Sequence, residues 1–122
     1  LWTAPDVRHP LFRALNRRFG VPLRPQPEGD LGARLAAVAQ AHFTGPAAGP
    51  LLIVGTDAPA LSAADLQAAA DALASHDAVL TPAEDGGYVL IGLARPVAGV
   101  FDWIDWSTER VAAQTRDRLR AA

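Results

Sequence analysis

LLIVGTDAPAL at residues 51–61, followed after one helix length by EDGGYVLIGL at residues 84–93, decides how this chain folds. An apolar run ending in Gly55-Thr56-Asp57 and then Pro59 has the pattern of a buried parallel strand. Such a strand delivers one carboxylate to its carboxyl end, where open α/β sheets keep their ligand sites. Between the two stretches, Ser62 is placed to cap a helix, Asp65 stands at the third helical position, and Leu61 can staple to Leu66. The helix is alanine-rich and is expected to end near Ser75-His76. Asp77 to Thr81 reads as a short strand closed by Pro82, and residues 87–93, almost continuously apolar, as a strand buried on both faces.

Outward from this centre, the elements alternate. His9-Pro10 precedes Leu11, Phe12, Leu15 and Phe19, an amphipathic helical spacing that Gly20 stops. VPLRPQPEGD at residues 21–30 holds three prolines, so it is a loop or a strand edge at best. Asp30 can cap a second helix bearing Leu31, Leu35, Val38 and Ala39, after which TGPAAGP is a loop without chemistry. RPVAGVFDWIDW reads as a loop or short helix with aromatic anchors, and Ser107 as the cap of a final helix carrying Val111 and Leu119. Alternating strands and helices predict a layered α/β sheet in one domain spanning residues 1–122. Leu1-Trp2-Thr3 resembles the tail of a strand before a Pro5-Asp6 turn, and methionine is absent, so the reading expects a missing N-terminal piece.

Composition narrows the function. With 122 residues, 50% of them hydrophobic and 20% charged, the chain fits one soluble globular domain. A net charge of -2 and a pI near 5.8 lack the basic footprint of a nucleic-acid binder, which directs attention to small molecules and proteins as partners. Without cysteine there is no disulfide, thiolate metal site or cysteine nucleophile, and the cytoplasm is the default compartment. No apolar run approaches the ~20 residues of a membrane span, and the first residues lack the layout of a signal peptide.

Four clusters can carry chemistry. Asp57 can bind a divalent cation, act as a nucleophile or hydrogen-bond its own turn, and spacing does not separate these roles. Glu84-Asp85-Gly86-Gly87-Tyr88 sets two carboxylates before a glycine pair. Those glycines allow positive φ and close approach to a ligand, but a tight turn between strands explains them equally. Gly29, Asp30 and Arg34 surround a helix N-terminus, where free amides favour anions such as phosphate; a capped helix with a solvated arginine is the simpler alternative. Trp103 and Trp106 offer aromatic platforms, although packing is the commoner use, and Ser107 adds a hydroxyl. His9, His42 and His76 lack ligand spacing, and neither GxGxxG nor GxxxxGK[ST] occurs.

Taken together, QPEGDLGARL (26–35), GTDAPAL (55–61), EDGGYVLIGL (84–93) and WSTERV (106–111) resemble, in order and spacing, a bacterial family of glycosyltransferase-like proteins. That family lies in the nucleotide-diphospho-sugar transferase superfamily, which has a GT-A-type sheet and includes nucleotidyltransferases. The resemblance covers the whole chain and implies a three-layer, Rossmann-like, mostly parallel sheet with helices on both faces. It implies that Asp57 holds Mg²⁺ or Mn²⁺ against the diphosphate of a nucleotide donor, either a nucleotide-sugar or a nucleoside triphosphate. Asp85, Gly86, Gly87 and Tyr88 would lie beside the transferred sugar or acceptor, with Asp85 as the candidate base. Gly29, Asp30 and Arg34 would lie near the donor, and Trp106 and Ser107 complete the candidate binding residues. Family members carry, ahead of this region, a first strand and a basic Lys-Thr-Arg-Leu-type loop that nothing here matches, so the chain resembles the C-terminal part of such a protein.

Three functions follow as expectations. The first is a metal-dependent transferase of a glycosyl or nucleotidyl group. The second is a non-catalytic truncated domain that forms a homo-oligomer through the sheet edge left open by the missing strand. The third takes Asp57 as a phosphoryl-accepting nucleophile, but the second aspartate usual two positions on is here Pro59.

Overall fold

The computed structural model describes residues 1–46 and 48–122, so the expected loop at residues 44–50 lies partly outside the described residues. Among the described residues nine elements follow in order: β1 (Trp2–Thr3), α1 (Pro10–Phe19), β2 (Arg24–Pro25), α2 (Leu31–Phe43), β3 (Leu51–Val54), α3 (Ala63–Ala72), β4 (Ala78–Pro82), β5 (Tyr88–Leu93) and α4 (Val111–Ala121). Local chemistry fixes most of the boundaries. Asp30 accepts the Ala33 N–H at 2.8 Å and starts α2, while Gly20 at φ 66° ends α1. Ser62 and Asp65 form a reciprocal capping box at α3, with the Ser62 N–H donating to Asp65 at 2.8 Å.

The strands form two sheets. β1 and β2 pair in parallel as a two-stranded sheet. β3, β5 and β4 form a three-stranded sheet in that order, with β5 central and antiparallel to both neighbours. The expectation of a mostly parallel sheet, with residues 51–55 as a parallel strand, is therefore corrected. β3 and β4 do run in the same direction, as a strand, helix, strand unit requires, but β5 inserts between them as the return arm of a hairpin from β4. Continuous apolarity revealed burial and said nothing about the direction of the neighbour.

β5 is the most enclosed strand, with Leu90, Ile91 and Leu93 all buried. One face of the sheet joins Ile91 and Leu93 to Ala39 of α2 and to Val100 and Phe101 of the following loop, with Leu35, Leu51, Ile53, Leu80 and Leu119 packed against them. On the other face Gly92 lies so close to Val79, Leu52 and Leu73 that a Cβ there would stand 2.5, 2.8 and 3.1 Å from their side chains. Leu73, at the end of α3, thereby lies over the face opposite α2. α1 is different: it buries no residue, and Leu11 and Phe19 remain 56% and 62% exposed. No described helix is long and apolar enough to cross a membrane.

A register shift between Thr81 and Pro82 has a consequence for the site. Thr81 pairs with Leu90 but Pro82 pairs with Tyr88, so Val89 is an extra residue on β5. Such a bulge re-aims the side chains beyond it. Tyr88 consequently packs against the same core as Ile91, two faces of the pleat having been exchanged.

Candidate functional site

Two of the candidate clusters lie at one end of the three-stranded sheet. Gly55 N–H donates to Val89 O at 3.1 Å, which places the exit of β3, and with it Thr56 and Asp57, beside the start of β5. The turn preceding β5 holds Asp85, Gly86 and Gly87. The chain therefore brings its two central motifs to the same sheet end.

Asp57 is exposed and makes no side-chain hydrogen bond or ion pair among the described residues. Its Oδ1 folds back over Gly55, where a Cβ would stand 2.8 Å away. A Cβ there would meet only this movable side chain, and the carboxylate stays open on its outer side. No group of three or more acidic or histidine side chains able to hold a metal occurs among the described residues. A cation on Asp57 would take its remaining ligands from water and a substrate's phosphates, the common arrangement for Mg²⁺.

Asp85 is employed differently. Its Oδ1 accepts the Gly87 N–H at 2.9 Å, the Gly86 N–H donates to Ala83 O at 3.2 Å, and Ala83 N–H donates to Gly87 O at 3.0 Å. These bonds build the β4–β5 turn, so one Asp85 oxygen is committed to the backbone and the second is left for other use. Gly86 has φ 84°, and a Cβ on it would overlap the backbone of Glu109. Its carbonyl accepts the Ala112 N–H at 2.9 Å. Gly86 thus clasps the first turn of α4.

Tyr88 follows directly. Its hydroxyl is enclosed beside Thr115, which is 0% exposed, and neither hydroxyl makes a hydrogen bond of ordinary geometry. Burial pushes the Tyr88 phenol above its usual value, and the Thr115 hydroxyl opposes that shift in part. The Tyr88 hydroxyl faces the interior.

At α2, the Gly29 carbonyl, with Gly29 at φ 106°, accepts from Arg34 Nε at 2.8 Å. A longer contact at 3.4 Å joins Arg34 to Gln26. The guanidinium thus braces the loop that feeds α2, and Asp30 caps the helix, so both residues have structural employment. Sequence reading passed over Gly32. A Cβ there would lie 2.5 Å from Trp106 Nε1 and 2.9 Å from Phe101 O, so the Trp106 ring rests on the first turn of α2. Its position in the first turn of a capped helix, where glycine is a weak helix former, was the available signal.

The loop before α4 also departs from expectation. Ser107 does not cap the helix: it sits at φ 64°, and the residue preceding α4 is Arg110, which offers no side-chain cap. Thr108 does the local work instead, donating to Asp105 O at 2.7 Å and accepting the Arg110 N–H at 3.3 Å. Val100, Phe101 and Ile104 anchor the loop in the core, while Trp103, at φ 59°, is turned out and 85% exposed. The two tryptophans therefore divide the roles that the sequence left open, Trp106 packing and Trp103 free.

Two contacts tie these loops to the helices: Trp106 rests on Gly32 of α2, and Gly86 of the β4–β5 turn meets Glu109 and Ala112 at the start of α4. Two surface grooves, of about 660 and 500 Å³, lie elsewhere and are lined by neither Asp57 nor Asp85. Asp57 and Asp85 are both exposed at the surface.

Comparison with known proteins supports this fold. A family described as uncharacterised proteins conserved in bacteria, DUF2064, matches residues 1–108, and the chain belongs to that family. A crystal structure from Desulfovibrio desulfuricans G20, provisionally assigned as a nucleotide-diphospho-sugar transferase, is similar to it, with a TM-score of 0.83 and 28% sequence identity over 98% of this chain. The match covers 52% of that protein, so the chain spans about half the length of its solved relative. No curated protein matches the chain.

Proposed function

We propose that the chain is part of a metal-dependent transferase that moves a glycosyl or nucleotidyl group from a nucleotide donor. The observation that carries this reading is the open Asp57 carboxylate at the carboxyl end of β3. It stands in a fold that matches a provisional nucleotide-diphospho-sugar transferase at a TM-score of 0.83. Mg²⁺ or Mn²⁺ on Asp57 would neutralise the donor diphosphate and so stabilise the charge that builds up on it as the bond to the transferred group breaks. The uncommitted oxygen of Asp85 would orient the acceptor hydroxyl and take its proton. Gly29 and the α2 start would lie towards the donor, with Arg34 and Trp106 holding the surrounding surface in place. Ser107 would add a hydroxyl beside that surface.

Calorimetric titration of the full-length protein with UDP-sugars, GDP-sugars and nucleoside triphosphates in the presence of Mn²⁺ tests the proposal. Binding of one donor class that disappears on chelation supports it. A protein indifferent to every donor with and without metal contradicts it.

A second reading, a non-catalytic domain that self-associates, draws on β3, which among the described residues pairs with β5 alone. A stable dimer that ignores nucleotides favours that reading, and a nucleotide-binding monomer opposes it.

A further inference from the structure

Asp105, in the loop before α4, is bonded through its N–H, its carbonyl and its carboxylate at once. The N–H donates to Gln114 Oε1 at 2.8 Å, and Gln114 Nε2 donates back to Asp105 Oδ2 at 2.9 Å. Arg110 pairs with the same carboxylate oxygen at 3.0 Å, and the Asp105 carbonyl accepts the Thr108 hydroxyl at 2.7 Å. Gln114 thus spends both ends of its amide, one as acceptor and one as donor, on a single residue. A two-point contact fixes direction as well as distance. Residues 105–110 are thereby closed into one bonded unit on the first turns of α4.

That unit meets the turn that carries Asp85. Glu109 lies inside it, and its backbone is what a Cβ on Gly86 would overlap; Ala112, just beyond, donates to Gly86 O at 2.9 Å. Thr115 is enclosed beside Tyr88 at the far side of the same turn. The turn is therefore seated on α4 at two points, with Gln114 between them in sequence. Its internal bond from Gly87 N–H to Asp85 Oδ1 carries that seating to the carboxylate. The neighbours of Asp105 are held by packing instead, Ile104 in the core and Trp106 against Gly32. Asp57, beyond the end of β3, is reached by none of these bonds.

We propose that Gln114 is a positioning residue for Asp85: by clipping Asp105 it holds Glu109 and Ala112 under Gly86, and so fixes where the free Asp85 oxygen points. The role rests on the transferase reading, in which that oxygen orients the acceptor hydroxyl, whereas the mechanical link does not. A displacement of about 1 Å at a reacting group can cost about 100-fold in rate, so a clip that acts through an intervening turn is expected to contribute about tenfold.

The test reads the turn and the reaction separately, in the full-length protein labelled with ¹⁵N-glycine. Q114A should shift the Gly86 and Gly87 amide resonances. Q67A, which breaks a Gln–Asp bond of the same kind at 2.9 Å on α3, should shift neither. With Mn²⁺ and the panel of UDP-sugars, GDP-sugars and nucleoside triphosphates, Q114A should lower kcat about tenfold and keep donor affinity within about threefold. Q114E sets a carboxylate against that of Asp105 and should be impaired likewise. In D105N/Q114E the amide and the carboxylate change places and the pair is remade, which should return both resonances and kcat to within about threefold of wild type. Unmoved Gly86 and Gly87 signals in Q114A, or a swap no better than Q114E, would overturn the link. Shifted signals with unchanged kcat, or an equal fall in donor affinity and kcat, would overturn the positioning of Asp85. Signals that shift and are restored by the swap, in a protein that turns over no donor, would uphold the clip and contradict the transferase reading instead.

Discussion

Asp57 and Asp85 are both carboxylates in glycine-containing turns at one end of the same sheet, and the structure uses them in opposite ways. Asp85 is tied to the Gly87 N–H, and the turn it supports is clasped to α4 through Gly86. Asp57 is tied to nothing among the described residues and merely overlies Gly55. A carboxylate occupied by its own backbone stabilises a shape, whereas an open one at a strand end is available to a ligand. The difference separates a carboxylate wholly open to a ligand from one that shares its proposed chemistry with the support of a turn.

Breaking the scaffold side should have the largest effect on stability. G86A forces a side chain into the Glu109 backbone at φ 84°, and it should cost about 3 kcal/mol or more, read as a fall in the urea midpoint. Thermal unfolding of G55A, where the obstruction is the movable Asp57 side chain rather than backbone, should show a smaller loss. On the other side, D57N should leave the unfolding midpoint in place and weaken metal-dependent donor binding by about 100-fold, as loss of a strong charge-assisted contact of about 3 kcal/mol implies. D85N sharpens the comparison, since an amide oxygen can still accept the Gly87 N–H. Donor affinity should then hold within about twofold while kcat falls by about 100-fold or more, the usual scale for loss of a positioned base.

Much of this arrangement was legible beforehand, for identifiable reasons. The caps at Asp30 and Ser62 and the stop at Gly20 rest on contacts between residues close in sequence, so local chemistry sufficed. The burial of β5 was likewise legible in its apolar run. Its direction was not, because antiparallel and parallel neighbours ask the same apolarity of a strand enclosed on both faces. The role of Gly86 depends on Glu109, and that of Gly32 on Trp106, partners many residues away that no local pattern encodes. Ser107 illustrates the remaining failure: it has the right residue type for a cap, but its backbone is at φ 64° and the helix starts four residues later.

Smaller effects probe the interior beside the two carboxylates. Y88F combined with T115V removes both unbonded hydroxyls while keeping the shapes, and should leave stability unchanged or raise it by about 1 kcal/mol. It should also remove an alkaline sensitivity. Because the folded phenol titrates above its unfolded value, its stabilising contribution is complete below pH about 10 and is lost as pH rises through the folded value. Wild-type stability should decline over that interval more steeply than that of Y88F, in pH-dependent urea unfolding. W103N relieves a bulky residue at φ 59° without loss of buried contacts, and a gain of about 1 kcal/mol in the same assay is expected.

The contrast between the open and the committed carboxylate is tested most directly by titrating Mn²⁺ into the full-length protein in the presence of a nucleotide donor. The free ion is followed by electron paramagnetic resonance, with D57N and D85N alongside the wild type. The account predicts a donor-dependent loss of free-ion signal for wild type and D85N, and little or none for D57N. Equal Mn²⁺ uptake by D57N and the wild type, or uptake abolished by D85N alone, would contradict it.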